Sequence, residues 1–108
     1  MKGVFFLLPL AIGIFTNSYA SETDQRDVEE LKVAMEDRLK DSESARFKRV
    51  VILDDGTTCG LVNSKNSFGA YSGFEPFMAM KLSTGKFYVL DVGEASRSVC
   101  KDRGVSIP

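Results

Sequence analysis

Histidine and tryptophan are missing from this chain of 108 residues, which has only two cysteines and three prolines. Without histidine there is no Ser-His or Cys-His nucleophile, no imidazole acid or base, and no ordinary zinc site. Neither sign of charge is in excess: 14 Lys and Arg stand against 15 Asp and Glu, a net charge of −1. A nucleic-acid footprint is therefore not expected. No repeat, linker or low-complexity stretch divides the chain, and its length allows one domain at most.

The one long apolar run opens the sequence. Lys2 precedes an apolar stretch, Val4 to Phe15, interrupted only by Pro9 and Gly13; Asn17-Ser18-Tyr19-Ala20 then places small residues where a signal peptidase reads. This order is that of a secretory signal over residues 1–20, cut after Ala20. It is short for a transmembrane span, which needs about 20 apolar residues. No cysteine precedes Cys59, so no lipid is expected at the cleavage site. The expected product is a periplasmic or secreted domain over residues 21–108, with no membrane anchor.

A domain of that size buries little more than about 60% of its unfolded surface, so a covalent staple matters. An oxidising destination permits one, and Cys59–Cys100 is the only intramolecular pairing available. Closing that loop is worth about 4 kcal/mol in the chain-entropy model. Free thiols or an intermolecular bridge are the alternatives. The two are too far apart in sequence for a Cys-x-x-Cys redox centre.

Thr23 or Asp24 offers an N-cap, and Val28, Leu31, Met35 and Leu39 then recur at helical spacing, with Arg38 and Lys40 in the expected last turn. Acids crowd the first turns, which complements the helix dipole. Asp41 to Ala45 reads as a capped turn. Phe47 to Leu53 is a strand, and Asp55-Gly56 signals a two-residue hairpin. That turn pairs Ile52 with Cys59 and Val50 with Leu61, all four on one core face, leaving Phe47, Arg49 and Thr58 on the other. A second hairpin joins Phe77–Leu82 to Phe87–Val92 around Ser83 to Lys86. Which of its faces points inward is undetermined, because both are apolar. Glu94 to Asp102 forms a short helix stopped at Gly104, and the tail Val105 to Pro108 is expected to be loose. The order helix, hairpin, hairpin, helix is α+β: an antiparallel sheet of about four strands, with its helices on one face and one disulfide.

Catalytic candidates are few. Asp54-Asp55 is ordinary turn chemistry and would need a cleft to act as paired carboxylates. No serine sits in a nucleophile elbow, and nothing marks a dyad between Lys65 and Ser64 or Ser67. The acids of the first helix lack the spacing of a calcium loop, and no cofactor or metal is expected.

The distinctive segment runs from Asn63 to Phe77 and holds Phe68, Tyr71 and Phe74 among glycines, serines and asparagines. Such a segment either completes the core or presents aromatic anchors with polar contacts to a partner. The expectation is divided: Phe68 and Phe74 structural, Tyr71 and Lys65 exposed, with Lys65, Asn66 and Tyr71 the candidate partner-binding residues.

Leu39-Lys40-Asp41-Ser42-Glu43-Ser44-Ala45-Arg46-Phe47, Cys59-Gly60-Leu61-Val62-Asn63 and the segment from Lys65 to Phe77 together resemble a family of small exported bacterial proteins, some from prophages. Its pattern is Leu-Lys-Asp-Pro-x-Ser-Ala-x-Phe, then Cys-Gly-x-Val-Asn-x-Lys-Asn-x-Phe-Gly-x-Tyr-x-Gly-Phe. This chain departs at Ser42, where proline is usual and would pre-set a helical start. The resemblance covers less than half of residues 21–108, implies no activity and carries across no catalytic residue. The expected function is a non-enzymatic exported binding or accessory module, with an inhibitor-like role among its forms and a protein partner in the envelope or outside the cell. A small hydrolase and a structural component of the envelope or a secretion system are the alternatives.

Overall fold

A computed structural model describes residues 24–108; residues 1–20, expected from the sequence to be a secretory signal, lie outside the described residues. Helix α1 spans Gln25–Ala34, and Asp24 caps it by accepting from the Asp27 backbone N–H at 2.9 Å. The helix closes at Met35, earlier than the stripe through Leu39 indicates, and the chain continues in turns. A 3-10 turn at Ser42–Ser44 then leads into the sheet. Strands β1 (Arg46–Ile52), β2 (Thr57–Asn63), β3 (Glu75–Lys81) and β4 (Phe87–Val92) pair antiparallel in sequence order, and α2 spans Glu94–Asp102. The architecture is α+β with a Cys59–Cys100 disulfide, its Cα atoms 6.2 Å apart.

The helices lie on opposite faces of the sheet, not on one. Leu31 and Met35 of α1 pack with Val50, Val62, Phe77 and Phe87. Cys100 of α2 packs with Cys59, Leu61 and Met78 on the other face. Alternate residues of a strand point to opposite faces, so Phe77 and Met78 serve different cores. Every residue of β2 from Thr57 to Val62 is buried for the same reason. The tail is not loose either. Val105 and Ile107 are buried beside Cys59 and Met78, and the Arg97 guanidinium donates to the carbonyls of Ile107 (2.7 Å) and Pro108.

The first hairpin turns through three residues rather than two. Leu53 N–H donates to the Thr57 carbonyl at 2.8 Å, Gly56 N–H donates to the Leu53 carbonyl at 2.9 Å, and Gly56 takes φ 95°. The extra residue shifts the register, so Val51 faces Cys59 and Ile52 faces Thr58. A one-residue shift sends side chains to the opposite face. Val50 and Ile52 therefore join the α1 core with Phe47, while Cys59 and Leu61 join the α2 core. A bulge at Arg49-Val50, opposite Gly60, lets Phe47 and Val50 share a face. Arg49 takes φ 56° there. A side chain at Gly60 would be tightly confined, because a Cβ would lie 3.0 Å from both Val50 and Phe77, whose side chains would have to give way.

The outer strands are guarded differently. β1 carries the bulge and exposed Arg46, Lys48 and Arg49, features that discourage another strand from adding. On β4, Arg38 donates to the carbonyls of Val89 (3.2 Å) and Leu90 (3.4 Å). α1 is tied to the second hairpin by Asp27–Lys81 at 3.0 Å.

Candidate functional site

The segment after β2 folds as a small third hairpin. Lys65 and Tyr71 form an isolated antiparallel bridge at its base. Asn66 N–H donates to the Ala70 carbonyl at 2.9 Å, and Gly69 N–H donates to the Asn66 carbonyl at 3.0 Å. This is the bonding of the first hairpin, and Leu82, Gly85 and Lys86 repeat it in the second. Each turn has glycine in third place, where φ is 95°, 81° and 94°, values that favour a residue without Cβ.

The middle position distinguishes the three. Asp55 accepts from the Thr57 N–H at 2.9 Å, and Thr84 accepts from the Lys86 N–H at 3.3 Å. In the third hairpin the middle residue is Phe68, whose ring can accept no such bond. Asn66 substitutes for it, its Oδ1 accepting from Phe68 N–H (2.9 Å) and Ala70 N–H (3.2 Å). Phe68 is thus unnecessary to the turn, and it is 91% exposed.

The base of the hairpin is anchored on the 3-10 turn. Lys65 N–H donates to Ser44 Oγ at 2.9 Å, Ser44 Oγ–H to the Asp41 carbonyl at 2.8 Å, and Tyr71 O–H to the Ser44 carbonyl at 2.9 Å. Farther along, Asn63 Oδ1 accepts from Gly73 N–H at 3.0 Å. Cations from β1 lie on the aromatic rings. Arg46 Cζ is 4.0 Å from the Tyr71 ring centroid, and Lys48 Nζ is 4.1 Å from that of Phe74. Lys65 Nζ lies 5.8 Å from the Tyr71 centroid. None of these three cations forms an ion pair among the described residues.

The division of aromatics is the reverse of the expected one. Tyr71 is the half-buried, anchored residue, and Phe68 and Phe74 are exposed. The physical reason is the phenol, which offers a donor to the Ser44 carbonyl while its ring receives Arg46. Asn66 braces the turn, and Lys65 belongs to the base through its backbone while its ammonium remains half-exposed. Ser44 and Phe68 were the residues that sequence reasoning missed. Asn66-Ser67-Phe68-Gly69 did carry a signal, since asparagine first and glycine fourth is a turn signature that puts Phe68 at the tip.

The other candidates stand apart from this surface. Asp54 and Asp55 are exposed at the opposite end of β1. The Asp55 carboxyl is held below its ordinary value of 3.8, first by the Thr57 backbone N–H, then by the Thr57 side chain, with the charge of Arg103 adding. Arg103 reaches Asp55 Oδ2 at 3.0 Å. Neither Ser64 nor Ser67 hydrogen-bonds to the Lys65 ammonium among the described residues. No cluster of potential metal ligands occurs among the described residues. No helix among them is long and apolar enough to cross a membrane. No family model, curated protein or solved structure matches this chain.

Proposed function

We propose that the protein is a non-enzymatic binding module acting in the periplasm or outside the cell, and that the Lys65–Tyr71 hairpin is its contact surface. The observation that carries this reading is Phe68: an aromatic at 91% exposure on a turn that does not use it. Six hydrogen bonds that involve Asn66, Ser44 or Tyr71 hold the hairpin in place. An aromatic presented on an ordered loop loses little freedom on binding, which is what makes an effective anchor. The disulfide and the signal-like N-terminus support action outside the cytoplasm. The stretch Leu39 to Phe77, which resembles small exported bacterial proteins, is also the stretch that builds this surface.

Site-specific photo-crosslinking tests the reading. A benzophenone amino acid replaces Phe68 in one variant and Thr84, the middle residue of the second hairpin, in another. In envelope-containing cells we expect an adduct, to protein or to lipid, from position 68 and none from position 84. Equal labelling from both positions, or none from either, would overturn the assignment of the surface.

A further inference from the structure

The contact surface has a chemistry of its own, and its partner can be argued from it. We infer that the hairpin meets the headgroup region of an anionic lipid bilayer, with Phe68 entering the interface and Arg46, Lys48 and Lys65 meeting lipid phosphates. This rests on the reading of the hairpin as the contact surface.

Charge is the first reason. From Ser44 to Phe74 the only acids are Asp54 and Asp55, and these lie at the far end of β1, about 20 Å away along a strand of this length. Glu43 and Glu75 flank the segment, and neither pairs with the three cations. The segment from Ser44 to Phe74 thus brings Arg46, Lys48, Arg49 and Lys65 to the hairpin end of the sheet with no acid of its own there, while Asp41, Glu43 and Glu75 stand at its borders. The Arg46 and Lys48 heads are gathered on the rings of the hairpin segment itself.

Shape is the second. Phe68 is three residues from both Lys65 and Tyr71, so its Cα lies within about 11 Å of theirs. Nothing lies within 4 Å of where a Cβ would project from Gly69 or Gly73, so the tip stands clear of the body. Its apolar content is essentially one protruding ring. A stable protein interface needs about 800 Å² on each partner, with a pocket shaped to its anchor. A bilayer interface needs no pocket: it accepts a single aromatic ring and attracts cations beside it. Each cation brought to an anionic surface is worth a factor of about five in affinity, and burial of the ring at least about tenfold. Binding through one ring and three cations should be weak, reversible and sensitive to salt.

The absence of tryptophan supplies a direct test. Phe68→Trp introduces a single fluorescent reporter at the tip, and Thr84→Trp places one on the second hairpin. The oxidised protein is titrated with vesicles of equal parts phosphatidylglycerol and phosphatidylcholine, and with vesicles of phosphatidylcholine alone. We expect the Phe68→Trp emission to shift to the blue only with the anionic vesicles, and the shift to reverse in high salt. Thr84→Trp should not shift. In vesicle sedimentation, Phe68→Ala should weaken binding about tenfold and Lys48→Gln about fivefold, with unchanged melting temperatures. No shift at position 68, an equal shift at position 84, or binding indifferent to both substitutions would overturn the inference. If photo-crosslinking at position 68 traps a protein while vesicles give no shift, the contact surface stands and its lipid partner falls.

Discussion

Tyr71 and Phe68, three residues apart, make opposite demands on the fold. Tyr71→Phe removes the hydrogen bond to the Ser44 carbonyl and leaves that carbonyl short of a donor. We expect a loss of about 0.5–1.5 kcal/mol in chemical denaturation. Phe68→Ala removes a larger side chain that touches little, and the change should stay within about 0.5 kcal/mol. A larger loss from Phe68→Ala would mean that the ring packs on the body. Asp55 is a second residue with a measurable signature. Its carboxyl is held below 3.8 by Thr57 and Arg103, so the folded state favours the ionised form. That contribution is present above the unfolded value and is lost as the pH falls through the lowered folded value. The melting temperature of the native protein should therefore exceed that of Asp55→Asn near neutrality, and the two should converge in acid. A constant gap down to low pH would contradict this account. Glu94, lowered by its hydrogen bond from Arg97, should act in the same direction.

At the scale of elements, the α2 layer is completed by the tail. α2 contributes Cys100 to the second core, while Val105 and Ile107 fill the remainder against Cys59, Leu61 and Met78. Gly104 takes φ 91° and turns the chain back, with Val105 N–H donating to the Cys100 carbonyl at 2.8 Å. Ile107→Ala should cost about 2–5 kcal/mol, the range for a buried aliphatic truncation. Ser106→Ala, at an exposed neighbour, should leave the denaturation midpoint almost unchanged. Equal effects from the two would show that the tail does not dock in solution. The ion pair of α1 with β3 is of another kind. Lys81 is one-third exposed, so the Asp27–Lys81 pair positions the helix more than it stabilises the fold.

For the whole molecule, the disulfide joins the central strand β2 to the outer layer. Two small cores share one four-stranded sheet, and each is thin. Replacing both cysteines with alanine should destabilise the protein by about 2–4 kcal/mol. Amide hydrogen exchange should show where. We expect faster exchange in α2 and less change in α1, because α1 packs on the opposite face. A uniform increase in exchange would mean that both layers unfold together.

Local chemistry made much of this protein legible in advance. The α1 start, the 3-10 turn, the two hairpins of the sheet, the bounds of α2 and the cysteine pairing all follow from caps, glycines, periodicity and the presence of only two cysteines. Only the tertiary structure decided which face each residue serves. Val50 and Cys59 were separated by one extra residue in a turn, and a bulge then put Phe47 on the face of Val50, because strand geometry converts each such step into a change of face. The sides taken by the two helices depended on that same register, since both faces of β3 are apolar. Tyr71 and Phe68 were likewise indistinguishable by residue type as candidate anchors. The carbonyl that captures Tyr71 belongs to Ser44, 27 residues away in sequence, and only folding brings it within reach.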